Sequence, residues 1–406
     1  MKNRTKVFVL VCDGMADEPV GQLEGKTPLE AAKTPNMDRL AREGKIGLAR
    51  TIPKGFVPAS DVGNLSILGY DPKIYYCGRG PLEAANLGIK VREGEVVFRC
   101  NLITADGDKL ADYSAGHITT DEARTLIHHL AASLGGHGVT FHTGARYRHL
   151  VVFNQPGEME ALLKTVCAPP HDITGWKISE HLPKGPAAKK LIEMMEASRT
   201  VLAGHEVNQV RVDLKENPAN MIWFWGQGTR AQIPTFGDRW GVSGSVISAV
   251  DLVKGAGRLA GLEVIEVPGA TGYYDTNYEG KAKAALKSLK KKDLAYVHIE
   301  AADEAGHNGD LRQKITAIEN FDRLVLGTIL EHAGMLGPIR ILVIPDHPTP
   351  VEKRAHSADP VPFVIWGEGI PAGGAQSFGE TAAKTAGWMV DEAHEILPKL
   401  LAEETL

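Results

Sequence analysis

Two short segments in the C-terminal third place carboxylates and imidazoles at spacings that could grip a cation. In Glu300-Ala301-Ala302-Asp303-Glu304-Ala305-Gly306-His307, one helical turn separates Asp303 from His307, so both project from one face. Asp346-His347 follows an apolar run, and Pro348-Thr349-Pro350 then prevents a helix from starting at once. His356 stands shortly before Pro360-Val361-Pro362, and Asp13 follows the apolar run at 7–11 near the other end of the chain. Carboxylate oxygens suit magnesium and manganese, and imidazole extends such a set toward manganese, zinc or iron. Taken singly, each segment reads equally well as a salt bridge, a helix cap or a solvated turn. Their coincidence at the ends of expected strands has no packing rationale and points to a metal centre.

Chemistry at such a centre needs a nucleophile. Pro58-Ala59-Ser60-Asp61-Val62-Gly63-Asn64 sets Ser60 ahead of an apolar helical pattern. An ordinary N-cap serine fits that position. So does a nucleophile, since a helix N-terminus favours a phosphoryl group carried there and a bound metal would lower the hydroxyl pKa. Spacing alone leaves both readings open.

The elements that must position these residues alternate. Apolar, β-branched runs at 7–11, 295–299, 339–344 and 362–366 read as buried parallel strands, and each of the first three ends near an acidic residue. Helical patterns at 281–292 and 310–330 lie between them, and Thr27-Pro28 and Thr34-Pro35 each place a capping threonine before a proline. This is the α/β class with a mainly parallel sheet flanked by helices, whose ligands bind at the carboxyl ends of the strands. The middle differs: strands at 96–103, 139–142 and 148–153 with a helix at 120–134 suggest a smaller α+β domain. We place this insert at 86–189, so that 1–85 and 190–406 form a discontinuous core.

Composition narrows the partners. The 406 residues are 43% hydrophobic and 23% charged with a net charge of -5, which lacks the basic excess expected for nucleic acid or an anionic membrane. Four cysteines without paired spacing fit reduced thiols, and the apolar run after the basic Met1-Lys2-Asn3-Arg4-Thr5-Lys6 is shorter than the ~7 residues of a signal core. No window reaches the ~18 apolar residues of a membrane span, so a cytoplasmic protein is expected.

Val11-Cys12-Asp13-Gly14-Met15-Ala16-Asp17, Lys26-Thr27-Pro28-Leu29-Glu30-Ala31-Ala32, Thr34-Pro35-Asn36-Met37-Asp38, the 60–72 segment, Gly78-Arg79-Gly80-Pro81-Leu82-Glu83-Ala84, Asp303-Glu304-Ala305-Gly306-His307 and Asp346-His347 together resemble the cofactor-independent phosphoglycerate mutases of the archaeal type, in the alkaline phosphatase superfamily. The resemblance runs over nearly the whole chain, with the motifs in family order. It implies an alkaline phosphatase-like core with an inserted substrate-covering domain. It also implies two divalent metals, with manganese preferred and magnesium, zinc, cobalt or iron as alternatives. Asp13, Ser60, Asp346 and His347 would hold one, and Asp303, His307 and His356 the other. Ser60 would carry the phosphoryl group between 3-phosphoglycerate and 2-phosphoglycerate.

The substrate-binding set implied by the resemblance is Arg79, Arg146, Arg148, Lys281 and Asn64. Here the chain departs from the family pattern. Tyr113, His117 and Trp225 stand where those mutases carry arginines, and Asn64 replaces a histidine. One reading is compensation by Arg146 and Arg148. The other is a changed substrate, a hydroxyl amino acid, because the sequence also looks similar to a branch proposed to be homoserine kinases. A non-catalytic binding module on the same fold is the remote alternative. The oligomeric state is not legible in the sequence.

Overall fold

The structure, a computed structural model, describes residues 5–402, so the basic residues 1–4 weighed above lie outside it. The chain forms two units, one from the residues up to Tyr76 and from Ile233 onward, the other from Cys77 to Gln232. The second unit is wider than the expected insert 86–189 at both ends. Its strand Met221–Thr229 pairs antiparallel with Val96–Asp106, and the helices Arg79–Asn86 and Ala188–Ala203 pack on it. Strands so far apart in the chain leave no local signature of their pairing, which is why the boundary was not readable.

In the first unit an eight-stranded sheet runs in the order Met389–Val390, Lys45–Ala49, Val361–Gly367, Ile339–Ile344, Lys6–Cys12, Leu294–Ile299, Gly244–Ile247, Glu263–Val264. Lys6–Cys12 lies between Leu294–Ile299 and Ile339–Ile344, parallel to both. These three strands are buried almost throughout, as their Val, Ile and Leu content requires when helices cover both faces. Val361–Gly367 departs from expectation by running antiparallel to both of its neighbours. A parallel return needs a crossover, usually a helix. Residues 345–360, with Pro348, Pro350 and Pro360, form only turns and loop.

Helix starts follow the caps only in part. Thr27 forms a reciprocal capping box with Glu30, whereas Thr34 makes no side-chain cap. The helix Pro35–Glu43 is capped instead by Asp322, whose carboxylate accepts from the backbone N–H groups of Asn36 at 3.2 Å and Met37 at 2.7 Å. Asp322 sits in a π turn, Phe321–Leu326, which interrupts the expected 310–330 helix between Leu311–Asn320 and Gly327–His332.

In the second unit Val96–Asp106 is flanked by Arg148–Phe153 and Met221–Thr229, both antiparallel, and Val139–His142 extends the sheet beyond Arg148–Phe153. Phe98, Cys100 and Leu102 lie in an apolar core with residues of the helices Thr120–Leu134 and Ala188–Ala203. Among the described residues, no helix is long and apolar enough to cross a membrane.

Candidate active site

The three central parallel strands of the first unit deliver their next residues to one edge. Asp13 follows Lys6–Cys12 directly, Asp346-His347 follows Ile339–Ile344, and Asp303 lies on the helix Ala301–Asn308 after Leu294–Ile299. Close approach depends on glycine: Gly14 has φ 62°, and a Cβ there would lie 2.6 Å from Asp303 Cα. A Cβ on Gly63 would likewise lie 2.5 Å from the Asp346 carbonyl oxygen, so the Ser60–Ile67 helix can seat against the strand end only as it stands. Ala59 is the N-cap of that helix and Ser60 its first residue, which removes the capping reading of the serine.

The side chains converge. Ser60 Oγ lies 3.1 Å from His347 Nε2. That nitrogen is 3.6 Å from Asp13 Oδ1 and 3.5 Å from Asp346 Oδ2. Asp303 meets His307 Nε2 and His356 Nε2 at 3.4 Å each, and the two ring nitrogens are 2.8 Å apart. His347 and His356 stack with ring centres 3.8 Å apart, joining the two groups. All seven residues expected at the metal centre are therefore brought together.

Ring orientation is fixed from behind. His307 Nδ1 faces the Arg354 carbonyl oxygen at 3.1 Å, and His356 Nδ1 the Pro58 carbonyl oxygen at 3.3 Å. A carbonyl only accepts, so each Nδ1 carries the proton and, in a neutral ring, leaves the Nε2 lone pair directed into the centre. His347 Nδ1 meets the Thr349 hydroxyl at 3.2 Å.

Asp13 and Asp346 are wholly buried, and both Asp13 oxygens lack a hydrogen-bond partner. Burial, and then the Asp346 and Asp303 charges, push the Asp13 carboxyl well above its ordinary range. Burial likewise pushes His347 down to about 4. Burial also opposes ionisation of Asp303, but the His307 and His356 contacts outweigh it and hold that group well below the usual range. The Asp13 carboxylate without donors, beside the Asp346 and Asp303 carboxylates and convergent imidazole nitrogens, makes a donor set that fits divalent cations. Asp13, His347 and Asp346 make one close trio and Asp303, His347 and His356 another. His298, to which the sequence assigned no metal role, faces Asp13 Oδ2 at 3.1 Å and forms a third close trio with Asp13 and Glu300.

Two residues expected at the substrate lie deeper. Asn64 Nδ2 donates to Asp346 Oδ2 at 2.8 Å while its oxygen accepts from Tyr296 at 2.6 Å, so the amide orients a carboxylate of the centre. Lys281 is 1% exposed and donates to the His298 carbonyl oxygen at 3.0 Å. The remaining three lie in the second unit. Arg146 is exposed, with its backbone N–H on Thr120, and Arg148 lies against Tyr147. Arg79 pairs with Glu83 at 3.3 Å and sits 5.1 Å over Trp225.

Sequence reasoning missed the residue at the middle of this group. Arg99 is buried against Glu83, 4.7 Å over Trp225, and 3.3 Å from Asn101 Oδ1, which also accepts from the Trp225 indole at 3.0 Å. Burial, with the neighbouring Arg79 and Arg148 charges, lowers its guanidinium to about 10 against the pull of Glu83. The available signal was a charge inside Val96-Val97-Phe98-Arg99-Cys100, an otherwise apolar strand. Trp225 thus lies under two arginines, Arg79 and Arg99, that come from elsewhere in the unit.

Comparison with known proteins agrees with this architecture. A family model for 2,3-bisphosphoglycerate-independent phosphoglycerate mutase matches residues 41–208. The chain is 50% identical over 398 residues to a protein of that name from Methanosarcina acetivorans, covering 98% of this chain and 99% of the relative. It is 47% identical over 401 residues to the probable 2,3-bisphosphoglycerate-independent phosphoglycerate mutase of Geobacter sulfurreducens, covering 98% and 99%. Among solved structures, the PH0037 protein from Pyrococcus horikoshii superposes with a TM-score of 0.82 at 31% identity over 98% of this chain and 97% of that one. The cofactor-independent phosphoglycerate mutase from Thermoplasma acidophilum superposes with a TM-score of 0.64 at 27% identity over 98% and 99%.

Proposed function

The chain belongs to the 2,3-bisphosphoglycerate-independent phosphoglycerate mutase family, and from that premise we propose that it interconverts 3-phosphoglycerate and 2-phosphoglycerate through a phosphorylated Ser60. The observation that carries this reading is the position of Ser60 Oγ, 3.1 Å from His347 Nε2 at the head of a helix and beside the buried carboxylates.

We assign Asp13, Ser60, Asp346 and His347 to one divalent cation and Asp303, His307 and His356 to the other. When bound, the pair supplies charge neutralisation at the transferring phosphoryl group and a lowered hydroxyl pKa. The mixed oxygen and nitrogen set suits manganese, zinc, cobalt or iron, with magnesium as a further alternative, and we take manganese as the working cation.

In the first half-reaction Ser60 Oγ attacks phosphorus in line. The bond from phosphorus to the glycerate oxygen breaks, that oxygen gains a proton in exchange for the one Ser60 gives up, and Ser60 holds the phosphoryl group. In the second, the other glycerate hydroxyl attacks, the Ser60 Oγ–P bond breaks, and the serine is regenerated. The dipole of the Ser60–Ile67 helix favours the anion held on its first residue. Asn64, held by Tyr296, keeps Asp346 aimed inward, and Lys281 braces the backbone at His298.

Arg79, Arg146 and Arg148, joined by Arg99, we assign to the anionic groups of the substrate, which guanidinium forks recognise best. Four free cysteines and a small phosphorylated substrate fit a cytoplasmic enzyme. The test is turnover by the purified chain with manganese. Conversion of 3-phosphoglycerate, and no phosphorylation of homoserine with ATP, is expected. The reverse pattern would transfer the site to the hydroxyl amino acid.

A further inference from the structure

The loop after Asp346-His347 ends in a buried threonine that no step above uses. Thr349 is wholly buried, and its hydroxyl lies 2.5 Å from Asp303 Oδ1 and 3.2 Å from His347 Nδ1. In the two-cation assignment those two residues hold different cations, with His347 lying in both close trios. A hydroxyl has one proton to give. An ionised carboxylate can only accept, so the proton goes to Asp303, and the oxygen must then accept from His347 Nδ1–H. That arrangement leaves the His347 Nε2 lone pair toward Ser60, Asp13 and Asp346.

The threonine cannot readily move away. Its N–H donates to the Ala16 carbonyl oxygen at 3.2 Å, and its own carbonyl oxygen accepts from Lys314 Nζ at 2.8 Å. Lys314 is in turn anchored in the interior by Asp17 at 2.6 Å and the Ala16 carbonyl oxygen at 3.2 Å. Behind it, Gly306 leaves no slack, because a Cβ there would fall 2.3 Å from the Thr349 carbonyl oxygen.

We propose that Thr349 is a positioning residue that couples the two metal half-sites, its single hydroxyl orienting Asp303 in one and fixing the ring-nitrogen roles of His347 in the other. This rests on the two-cation reading given above. His307 and His356 obtain the same orientation from backbone carbonyls, whereas His347 depends on a side chain that can be removed.

The test is calorimetric titration of manganese into the metal-stripped full chain and its Thr349→Val and Thr349→Ser variants, alongside their thermal unfolding. Valine keeps the shape and loses the hydroxyl, and outer-shell changes of this kind weaken metal binding by roughly 10- to 100-fold. Serine restores the hydroxyl and should bind within about threefold of the parent. A residue important only for packing would give the serine variant, which lacks the methyl, a loss at least as large as that of valine. That result, or a valine variant titrating like the parent, would overturn the proposal alone. A parent chain that takes up no manganese would overturn the two-cation reading and the proposal with it.

Discussion

In the first unit Asp13, Asp303 and Asp346 bring three carboxylates into a buried pocket, and in the second Arg79, Arg99 and Arg148 bring guanidiniums around Trp225 and Tyr147. Each region gathers like charges, and the ways they are held differ. The carboxylates come from the loops and the helix that follow parallel strands, with the imidazoles beside them oriented by backbone carbonyls or a hydroxyl. The guanidiniums come from two strands and a helix, braced by Glu83, Asn101 and aromatic rings. The first arrangement suits phosphoryl chemistry, which tolerates little displacement. The second we assign to recognition of an anion, as guanidinium forks allow.

The largest effect that would sharpen this division is expected in the first unit. Ser60→Ala should lower kcat by roughly 10⁴-fold or more, as removal of a nucleophile does, with manganese still bound in calorimetry. Retained turnover would erase the distinction between a chemical and a recognition region.

The next prediction separates the units by pH. Burial raises Glu380 in the first unit to about 7, where it accepts from Asp17 N–H and Thr27. Its neutral form is favoured on folding, so its contribution is full below the ordinary range near 4.5 and is lost as pH rises through 7. Burial, with the Arg99 charge, lowers His149 in the second unit to about 3, so its contribution is full above about 6.5 and is lost as pH falls. Thermal unfolding of Glu380→Gln should lack the loss toward neutral pH, and that of His149→Gln the loss toward acid, on the order of 3–5 kcal/mol. The same pH slope change in both variants would contradict the assignment.

Recognition should respond less. Arg148→Gln is expected to raise KM for 3-phosphoglycerate by roughly 10- to 100-fold, the worth of a charged hydrogen bond, with manganese affinity unchanged. Trp225→Phe keeps an aromatic face and loses the indole N–H to Asn101, so a KM increase of only about two- to fivefold is expected. A shift in metal affinity in either variant would break the comparison.

The same contrast explains what could be read from the sequence. Asp13, Asp303, Asp346, His347 and Ser60 sit in short motifs beside apolar runs, and a strand's end fixes where its next residue goes. The three central strands were legible for that reason. Arg99 was not, because its partners lie on other elements, Glu83 on the preceding helix and Trp225 on a strand far away in the chain. The antiparallel Val361–Gly367 looked like its parallel neighbours because burial on both faces erases the alternation that usually marks antiparallel strands. Thr349 was invisible for another reason: a threonine between two prolines is an ordinary turn residue until its partners are placed around it.

The most direct test is rapid acid quench of the manganese-loaded chain during turnover of 3-phosphoglycerate, followed by peptide mass analysis. Phosphate on the peptide bearing Ser60, formed and lost at rates matching kcat and absent in Ser60→Ala, is the predicted result. Full turnover with that peptide unmodified, or with the phosphoryl group on another residue, would contradict the account.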